Sequence, residues 1–210
     1  MFVKICGLTR AEEAVSAAEA GADAVGFVFA PSPRRVTPAE AREIGKRLPR
    51  AVARVGVFLS PRPDEVERVM AEAGLDLAQI HGFFPPEGWF RLGGRAIRAV
   101  SVGRDEPVKE LSYGSPRFLL LDAYHPRLAG GAGRVFPWNL ARAFQALGPP
   151  ILLAGGLTPA NVRDALQAVR PAGVDVSSGV ESAPGRKDPA LVKAFVAAVR
   201  SWEGSALEYR

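Results

Sequence analysis

The sequence predicts a closed (β/α)8 barrel, an α/β TIM barrel that forms one domain over residues 1–210. Three observations predict it. Short apolar segments typical of strands alternate with helical segments along the whole chain, which indicates parallel βα units. Eight strand candidates can be counted, and glycine-rich loops follow the seventh and eighth. A doubly wound sheet, the alternative, usually has five or six strands and a phosphate loop after the first.

The strand candidates are short, apolar segments bounded by turn residues. In order they are Phe2 to Ile5, Ala24 to Phe29, Ala53 to Leu59, Leu77 to His81, Ala96 to Ser101, Phe118 to Asp122, Ile151 to Ala154 and Gly173 to Ser177. The clear helical segments between them are Thr9 to Ala20, Pro38 to Leu48, Pro63 to Ala73, Pro137 to Leu147, Pro159 to Val169 and Pro189 to Trp202.

Three helix starts carry a recognisable signal. Thr37-Pro38, Thr158-Pro159 and Asp188-Pro189 each match an N-cap residue followed by proline at the first helical position. By contrast, Phe83 to Gly94 and Val102 to Pro116 are rich in glycine and proline, so we expect short or irregular helices there.

Composition narrows the range of partners and locations. The net charge of +5 makes anionic ligands plausible, but the basic residues are scattered, which argues against nucleic acid as a partner. One cysteine excludes an intrachain disulfide framework and fits a reducing compartment. Because Met1 leads directly into the first strand and no apolar run approaches a membrane span, we expect a cytoplasmic protein without a membrane contact.

The two glycine-rich loops predict a phosphate site. Gly155 and Gly156 follow the seventh strand, and Ser178 and Gly179 follow the eighth. Glycine lets backbone amides approach an anion closely, and paired loops after the last two barrel strands form one cradle. The alternative is structural: the glycines make a tight left-handed turn and Ser177-Ser178 caps a helix.

Cys6 and Asp122 are the candidate acid–base groups. Asp122 ends an otherwise apolar strand at the barrel rim, where it can serve as a general acid, or it is only a loop or capping residue. Cys6 shares a strand face with Lys4, which can favour the thiolate, although a lone cysteine is often only a small hydrophobe. In a closed barrel the ring order 1, 8, 7, 6 places the two groups on opposite sides of the phosphate loops.

Two further side chains lie near the predicted rim. Arg34 stands in a proline-stiffened loop after the second strand, where its guanidinium can bind a carboxylate or simply be solvated. His81 ends the fourth strand and is either a ligand contact or a hydrogen-bonded strand-end histidine. The sequence contains no metal-ligand spacing and no nucleotide or serine-hydrolase motif, so no metal is implied.

Nine short motifs in one order carry a resemblance over essentially the whole chain. They are Lys4 to Gly7, Gly21 to Phe29, Ser32 to Arg34, Val55 to Phe58, Gln79 to Gly82, Leu120 to Asp122, Gly130 to Gly133, Ala154 to Leu157 and Asp175 to Glu181. The chain thereby resembles the phosphoribosylanthranilate isomerases of tryptophan biosynthesis. The resemblance implies a cofactor-free Amadori rearrangement of N-(5-phospho-β-D-ribosyl)anthranilate to 1-(2-carboxyphenylamino)-1-deoxyribulose 5-phosphate.

The resemblance also implies roles for residues. Asp122 is the general acid on the ribose ring oxygen, and Cys6 is the base that removes the C2 proton. Arg34 binds the anthranilate carboxylate, the two glycine loops hold the phosphate, and Asp175 and His81 are further substrate contacts. The thiol pKa is expected to be lowered by Lys4 or by bound substrate.

Several points stay open at this stage. The Gly130 to Arg134 loop departs slightly from the family pattern, with alanine in its third place and arginine in its fifth. There are three rival interpretations of the chain: a pentulose-phosphate epimerase, an indole-glycerol-phosphate synthase, and a phosphate-binding barrel without catalytic activity. Barrels of this kind occur as monomers and dimers, so a homodimer is possible.

Overall fold

A computed structural model describes residues 1–102, 114–123 and 138–208. Within them, eight parallel strands close into a barrel in sequence order, with the first strand hydrogen-bonded to both the second and the eighth. The predicted fold class is confirmed. The barrel strands are β1 (Phe2–Cys6), β2 (Ala24–Val28), β3 (Ala53–Leu59), β4 (Leu77–His81), β5 (Ala96–Val102), β6 (Phe118–Ala123), β7 (Ile151–Leu153) and β8 (Gly173–Val176).

Helices follow the strands and cover the outside of the barrel. They are α1 (Ala11–Glu19), α2 (Pro38–Lys46), α3 (Pro63–Ala73), α4 (Pro86–Leu92), α5 (Trp138–Gln145), α6 (Val162–Val169) and α7 (Pro189–Glu208). A short antiparallel hairpin of β9 (Glu181–Ala183) and β10 (Arg186–Lys187) separates β8 from α7.

The alternation of side chains along each strand divides the core into two layers. On β1, Val3 and Ile5 are fully buried in the apolar layer between sheet and helices. Phe2 packs instead with the apolar residues that fill the barrel, together with the aromatic ring of Phe118. Lys4 and Cys6 share the inward face of β1 with Phe2 because strand side chains alternate with a period of two.

Two of the three predicted helix starts are confirmed. Thr37 and Glu40 form a reciprocal capping box at the start of α2, and the Asp188 carboxylate accepts hydrogen bonds from the first amides of α7. The start predicted at Thr158-Pro159 is wrong, since α6 begins at Val162. The Asn161 side chain holds residues 158–161 in a turn instead, accepting from the amide of Thr158 at 2.8 Å.

Of the two segments expected to be irregular, the structure describes the first and only the ends of the second. α4 is short and runs into a single 3-10 turn at Gly93–Arg95, as the glycine and proline content predicted. Residues 103–113 and 124–137 lie outside the described residues, and with them the Gly130 to Arg134 loop. The β9–β10 hairpin was not predicted, and α7 extends beyond the expected end at Trp202.

Helix α7 forms hydrogen bonds and ion pairs with residues at the start of the barrel. The Arg200 guanidinium on α7 donates to the Met1 carbonyl at 2.6 Å, the Gly21 carbonyl at 2.9 Å and the Asp23 carboxylate at 2.7 Å. Glu203 pairs with the Met1 ammonium. Because Asp23 also accepts from the Val3 amide at 2.8 Å, these contacts bind α7 to β1 and to the turn before β2.

Candidate active site

A cavity of about 100 Å³ lies at the carboxyl-terminal end of the barrel. Seven of the nine residues that the sequence singled out line it: Arg34, Asp122, Gly155, Gly156, Asp175, Ser178 and Gly179. Cys6 and His81 lie outside that set. Carboxyl ends of parallel barrel strands are where (β/α)8 enzymes place their chemistry, so this cavity is the candidate active site.

The two glycine loops meet at this cavity, as predicted. Gly155 and Gly156 both have positive φ, +78° and +69°, a conformation that favours glycine. Gly179 faces the other loop so closely that a Cβ atom there would stand 1.8 Å from the Leu157 carbonyl oxygen. The left-handed turn proposed as the structural alternative is therefore present, and it presents both loops to one space.

Asn161 braces the first of these loops, and sequence reasoning missed it. Its amide nitrogen donates to the Gly156 carbonyl at 2.9 Å while its oxygen accepts from the Thr158 amide. An asparagine shortly after Gly-Gly is the signal that could have found it, because asparagine side chains readily bond nearby backbone.

A buried ion pair lies inside the barrel below the cavity. The Lys4 Nζ donates to the Asp175 Oδ1 at 2.7 Å, and the Lys4 side chain is fully buried. Burial lowers the Lys4 pKa, but attraction to Asp175 and Cys6 outweighs it, so that pKa is raised. Asp175 therefore lines the cavity, and the Lys4 ammonium inside the barrel balances its negative charge.

Cys6 is 6% exposed, next to this pair. Burial raises the thiol pKa, and the attraction of the Lys4 ammonium does not offset it. Lys4 does favour the thiolate, as expected, but burial and then the Asp175 carboxylate outweigh it, so the net shift of the Cys6 pKa in the ligand-free protein is upward. A Cβ on Gly26, the partner of Cys6 on β2, would stand 2.7 Å from Sγ, so glycine there makes room for the thiol.

Asp122 lies at the end of β6, half-buried on the cavity wall. β6 pairs with β7, β7 with β8, and β8 with β1. The predicted ring order is therefore confirmed, and Asp122 and Cys6 belong to strands on opposite sides of the phosphate loops.

Arg34 is held by a carboxylate of the protein itself. Its Nε and Nη2 donate to the two oxygens of Glu181 at 2.7 and 2.6 Å, and its side chain is 12% exposed. This hydrogen bonding to Glu181 raises the Arg34 pKa. Sequence reasoning found Arg34 but missed Glu181, which lies on a hairpin 147 residues away.

His81 pairs within its own strand. Its Nε2 lies 2.8 Å from the side-chain nitrogen of Gln79, which is 2% exposed. Burial first, and then repulsion from Lys4, lowers the His81 pKa to about 4, so the imidazole is neutral at pH 7. A neutral ring accepts a hydrogen bond from the Gln79 amide, which agrees with a strand-end histidine held by hydrogen bonding.

Residues 1–102, 114–123 and 138–208 contain no group of three or more His, Cys, Asp or Glu arranged to hold a metal ion. They also contain no helix with both the length and the apolar character needed to cross a bilayer.

Comparison with known proteins gives a consistent result. Residues 3–198 match the sequence model of the family described as N-(5'-phosphoribosyl)anthranilate (PRA) isomerase. The chain is 47% identical over 201 residues to N-(5'-phosphoribosyl)anthranilate isomerase of Geobacter sulfurreducens, covering 95% of this chain and 98% of that protein.

Solved structures agree. A phosphoribosyl anthranilate isomerase in complex with reduced 1-(o-carboxyphenylamino)-1-deoxyribulose 5-phosphate is 37% identical, with a TM-score of 0.82 over 96% of this chain and 99% of that one. The Thermotoga maritima enzyme, described as a dimeric isomerase from which monomers were generated, is 38% identical, with the same TM-score and coverage.

Proposed function

Because the chain belongs to the N-(5'-phosphoribosyl)anthranilate isomerase family, we propose that it converts N-(5'-phosphoribosyl)anthranilate to 1-(2-carboxyphenylamino)-1-deoxyribulose 5-phosphate in tryptophan biosynthesis. One observation carries the proposal beyond family membership. One cavity brings together Asp122, Arg34 and both glycine loops, to which we assign the roles of acid, carboxylate receptor and phosphate cradle.

The rearrangement moves a hydrogen from C2 to C1, and it needs an acid at the ribose ring oxygen and a base at C2. Asp122 protonates the ribose ring oxygen, the bond from that oxygen to C1 breaks, and the lone pair of the anilino nitrogen forms a C1=N double bond, which gives an iminium. Cys6, as thiolate, removes the C2 proton, and the electron pair moves to form an enolamine. In the final tautomerisation C1 takes up a proton, the C2 hydroxyl loses one, and the carbonyl forms at C2. Each such positioned acid or base contributes about 10²–10⁴-fold to rate.

The raised pKa of Cys6 sets a condition on this mechanism. In the ligand-free protein burial keeps the thiol protonated, although the nearby charges of Lys4 and Lys187 both favour the thiolate. A substrate iminium adds a positive charge next to the proton to be removed. We propose that this charge completes the activation, so that the thiol releases its proton to solvent and the base forms only once the ring has opened.

The remaining residues position the substrate. Gly155, Gly156, Ser178 and Gly179 hold the phosphate, and Arg34 binds the anthranilate carboxylate. Asp175 and His81 are further polar contacts of the substrate; the position of Asp175 on the cavity wall supports its part of this assignment.

The test is turnover of phosphoribosylanthranilate generated in situ, with a chelator present. Wild type should consume it, whereas Asp122→Asn and Cys6→Ala should fold normally and lose about 10²–10⁴-fold in kcat. Asp164→Asn, which neutralises an exposed carboxylate in the first turn of α6, is the matched control and should retain the wild-type rate.

Two results would contradict the proposal. A near-normal rate in either site variant removes that residue from the mechanism. Absence of turnover by folded wild-type protein, with retained binding of the reduced product analogue, favours a phosphate-binding barrel without catalysis.

We further propose a cytoplasmic, single-domain protein that associates as a homodimer and binds no nucleic acid. The dimer is supported by the dimeric description of the Thermotoga maritima relative. Light scattering on a size-exclusion column tests it, and a monomer mass at micromolar concentration contradicts it.

A further inference from the structure

Glu181 is a buried carboxylate that the proposed chemistry does not use. It lies at the start of the β9–β10 hairpin with its side chain 4% exposed. Burial opposes its ionisation, but hydrogen bonds from Arg34 and Lys187 outweigh that cost and hold the Glu181 pKa below its usual value. It is therefore an anion fixed between two cations.

The contacts of Glu181 join two sides of the cavity. One oxygen accepts from Arg34 Nε and from Lys187 Nζ, at 2.7 and 2.6 Å. Lys187 in turn donates to the Ser177 carbonyl at 3.0 Å, directly before the phosphate loop. The loop after β2 and the loop after β8 thus share one carboxylate.

The aliphatic part of the Arg34 side chain is confined as tightly as its guanidinium. A Cβ on Gly7 would stand 2.6 Å from Arg34 Cδ, and a Cβ on Gly185 would stand 3.1 Å from the Pro33 carbonyl oxygen. Gly185 belongs to the same hairpin as Glu181 and accepts a hydrogen bond from the Thr9 hydroxyl at 2.9 Å. The hairpin therefore fixes both the backbone and the guanidinium of this arginine.

A guanidinium has two edges that can bind a carboxylate, and the orientation of Arg34 depends on which of them binds Glu181. Glu181 occupies the edge formed by Nε and Nη2. An arginine has a second edge, formed by Nη1 and Nη2, that can bind another carboxylate bidentately. Arg34, Lys187 and Glu181 together carry a net charge of +1, so Glu181 leaves one positive charge of this cluster uncompensated.

We infer that Glu181 is a positioning residue that aims the second edge of Arg34 at the substrate carboxylate and so sets specificity for a 2-carboxylated aromatic amine. The inference rests on the proposed function. It assigns no catalytic step to Glu181, which acts only through Arg34.

The experiment measures KM and kcat for Glu181→Gln with phosphoribosylanthranilate. Freeing one side chain costs roughly 0.5–1.5 kcal/mol, so KM should rise about 2- to 12-fold while kcat changes little. With the phosphoribosyl derivative of aniline, which lacks the carboxylate, the same substitution should leave KM unchanged. In an Arg34→Ala background it should have no further effect on KM.

Glu67→Gln is the matched control, because Glu67 forms the same two-oxygen pair with Arg91 on the exposed surface. It should leave KM at the wild-type value. Glu181→Asp, which keeps the charge but shortens the reach, serves if Glu181→Gln does not fold, and it should also raise KM for the carboxylated substrate alone.

Three outcomes overturn the inference. A lower KM in Glu181→Gln means that Glu181 competes with the substrate for Arg34. An equal rise in KM for the aniline derivative means a general structural role, and additivity with Arg34→Ala means that Glu181 does not act through Arg34. Failure of the proposed function looks different, since wild type would then show no turnover at all.

Discussion

Gly179 provides the sharpest structural test of the phosphate cradle. It packs against the opposite loop, where a Cβ atom would stand 1.8 Å from the Leu157 carbonyl oxygen and 3.2 Å from the Thr158 methyl carbon. Real Cβ contacts essentially never fall below 3.0 Å, so Gly179→Ala must move backbone by about 1.2 Å. No flexible side chain can yield instead, because the atom in the way belongs to the main chain.

The size of the effect follows from that displacement. The loop of Gly179 and the loop of Leu157 would separate by about 1 Å, and a misplacement of that size costs about 10²-fold in rate. Overpacking of this kind also costs about 1–3 kcal/mol of folding free energy. We therefore expect a folded protein with kcat/KM about 10²-fold lower, most of it as a raised KM for the phosphorylated substrate.

The assay compares KM and the inhibition constant of inorganic phosphate in Gly179→Ala and Gly94→Ala. Gly94 is exposed in the 3-10 turn after α4, and a Cβ there meets nothing within 4 Å, so its replacement should change neither constant. The reasoning is refuted if Gly179→Ala binds phosphate and turns over substrate as wild type does. It is refuted equally if KM is unchanged and only stability falls.

Further predictions concern the barrel interior and the loop brace. Asp175→Asn leaves the Lys4 ammonium buried without its partner, so unfolding free energy should fall by about 3–5 kcal/mol in urea titrations, and Lys4→Met in the same chain should restore most of it. The raised pKa of Cys6 means that the unfolded state loses this proton first. The free energy of unfolding should therefore decline as pH rises above about 8.5, the ordinary thiol pKa, and Cys6→Ala should lack this part of the decline. Equal pH slopes of the unfolding free energy in the two proteins would contradict the prediction. Asn161→Ala removes two hydrogen bonds to the loop backbone and should cost about 1–3 kcal/mol by thermal unfolding, with a higher KM; an unchanged KM would show that the loop needs no brace.

The sequence was most informative where a local pattern determines the structure. The alternation along Phe2–Cys6 predicted that Lys4 and Cys6 share a face, and the fully buried Lys4 inside the barrel agrees with that. Thr37-Pro38 predicted a helix start for the same reason, since a capping box involves residues only three apart.

The sequence was least informative where partners are distant along the chain. Lys4 meets Asp175 across 171 residues, and Arg34 meets Glu181 across 147, so no local pattern pairs them. The upward net shift of the Cys6 pKa in the ligand-free protein was missed for the same reason. Lys4 was visible two residues away, whereas the carboxylate that engages it and the burial that opposes ionisation depend on closure of the barrel.

The contact between β1 and β8 has a consequence for how the chain reaches this fold. Among the barrel strands β1 is made first, yet one of its neighbours, Gly173–Val176, is made last, and Arg200, which bonds the Met1 carbonyl, follows it. Until those residues leave the ribosome, β1 presents an unpaired edge, as does whichever strand was made last. Such edges invite pairing between chains. A fragment that ends before residue 173 should therefore aggregate even though most of its βα units are intact. The last fifth of the chain supplies the strand that closes the barrel.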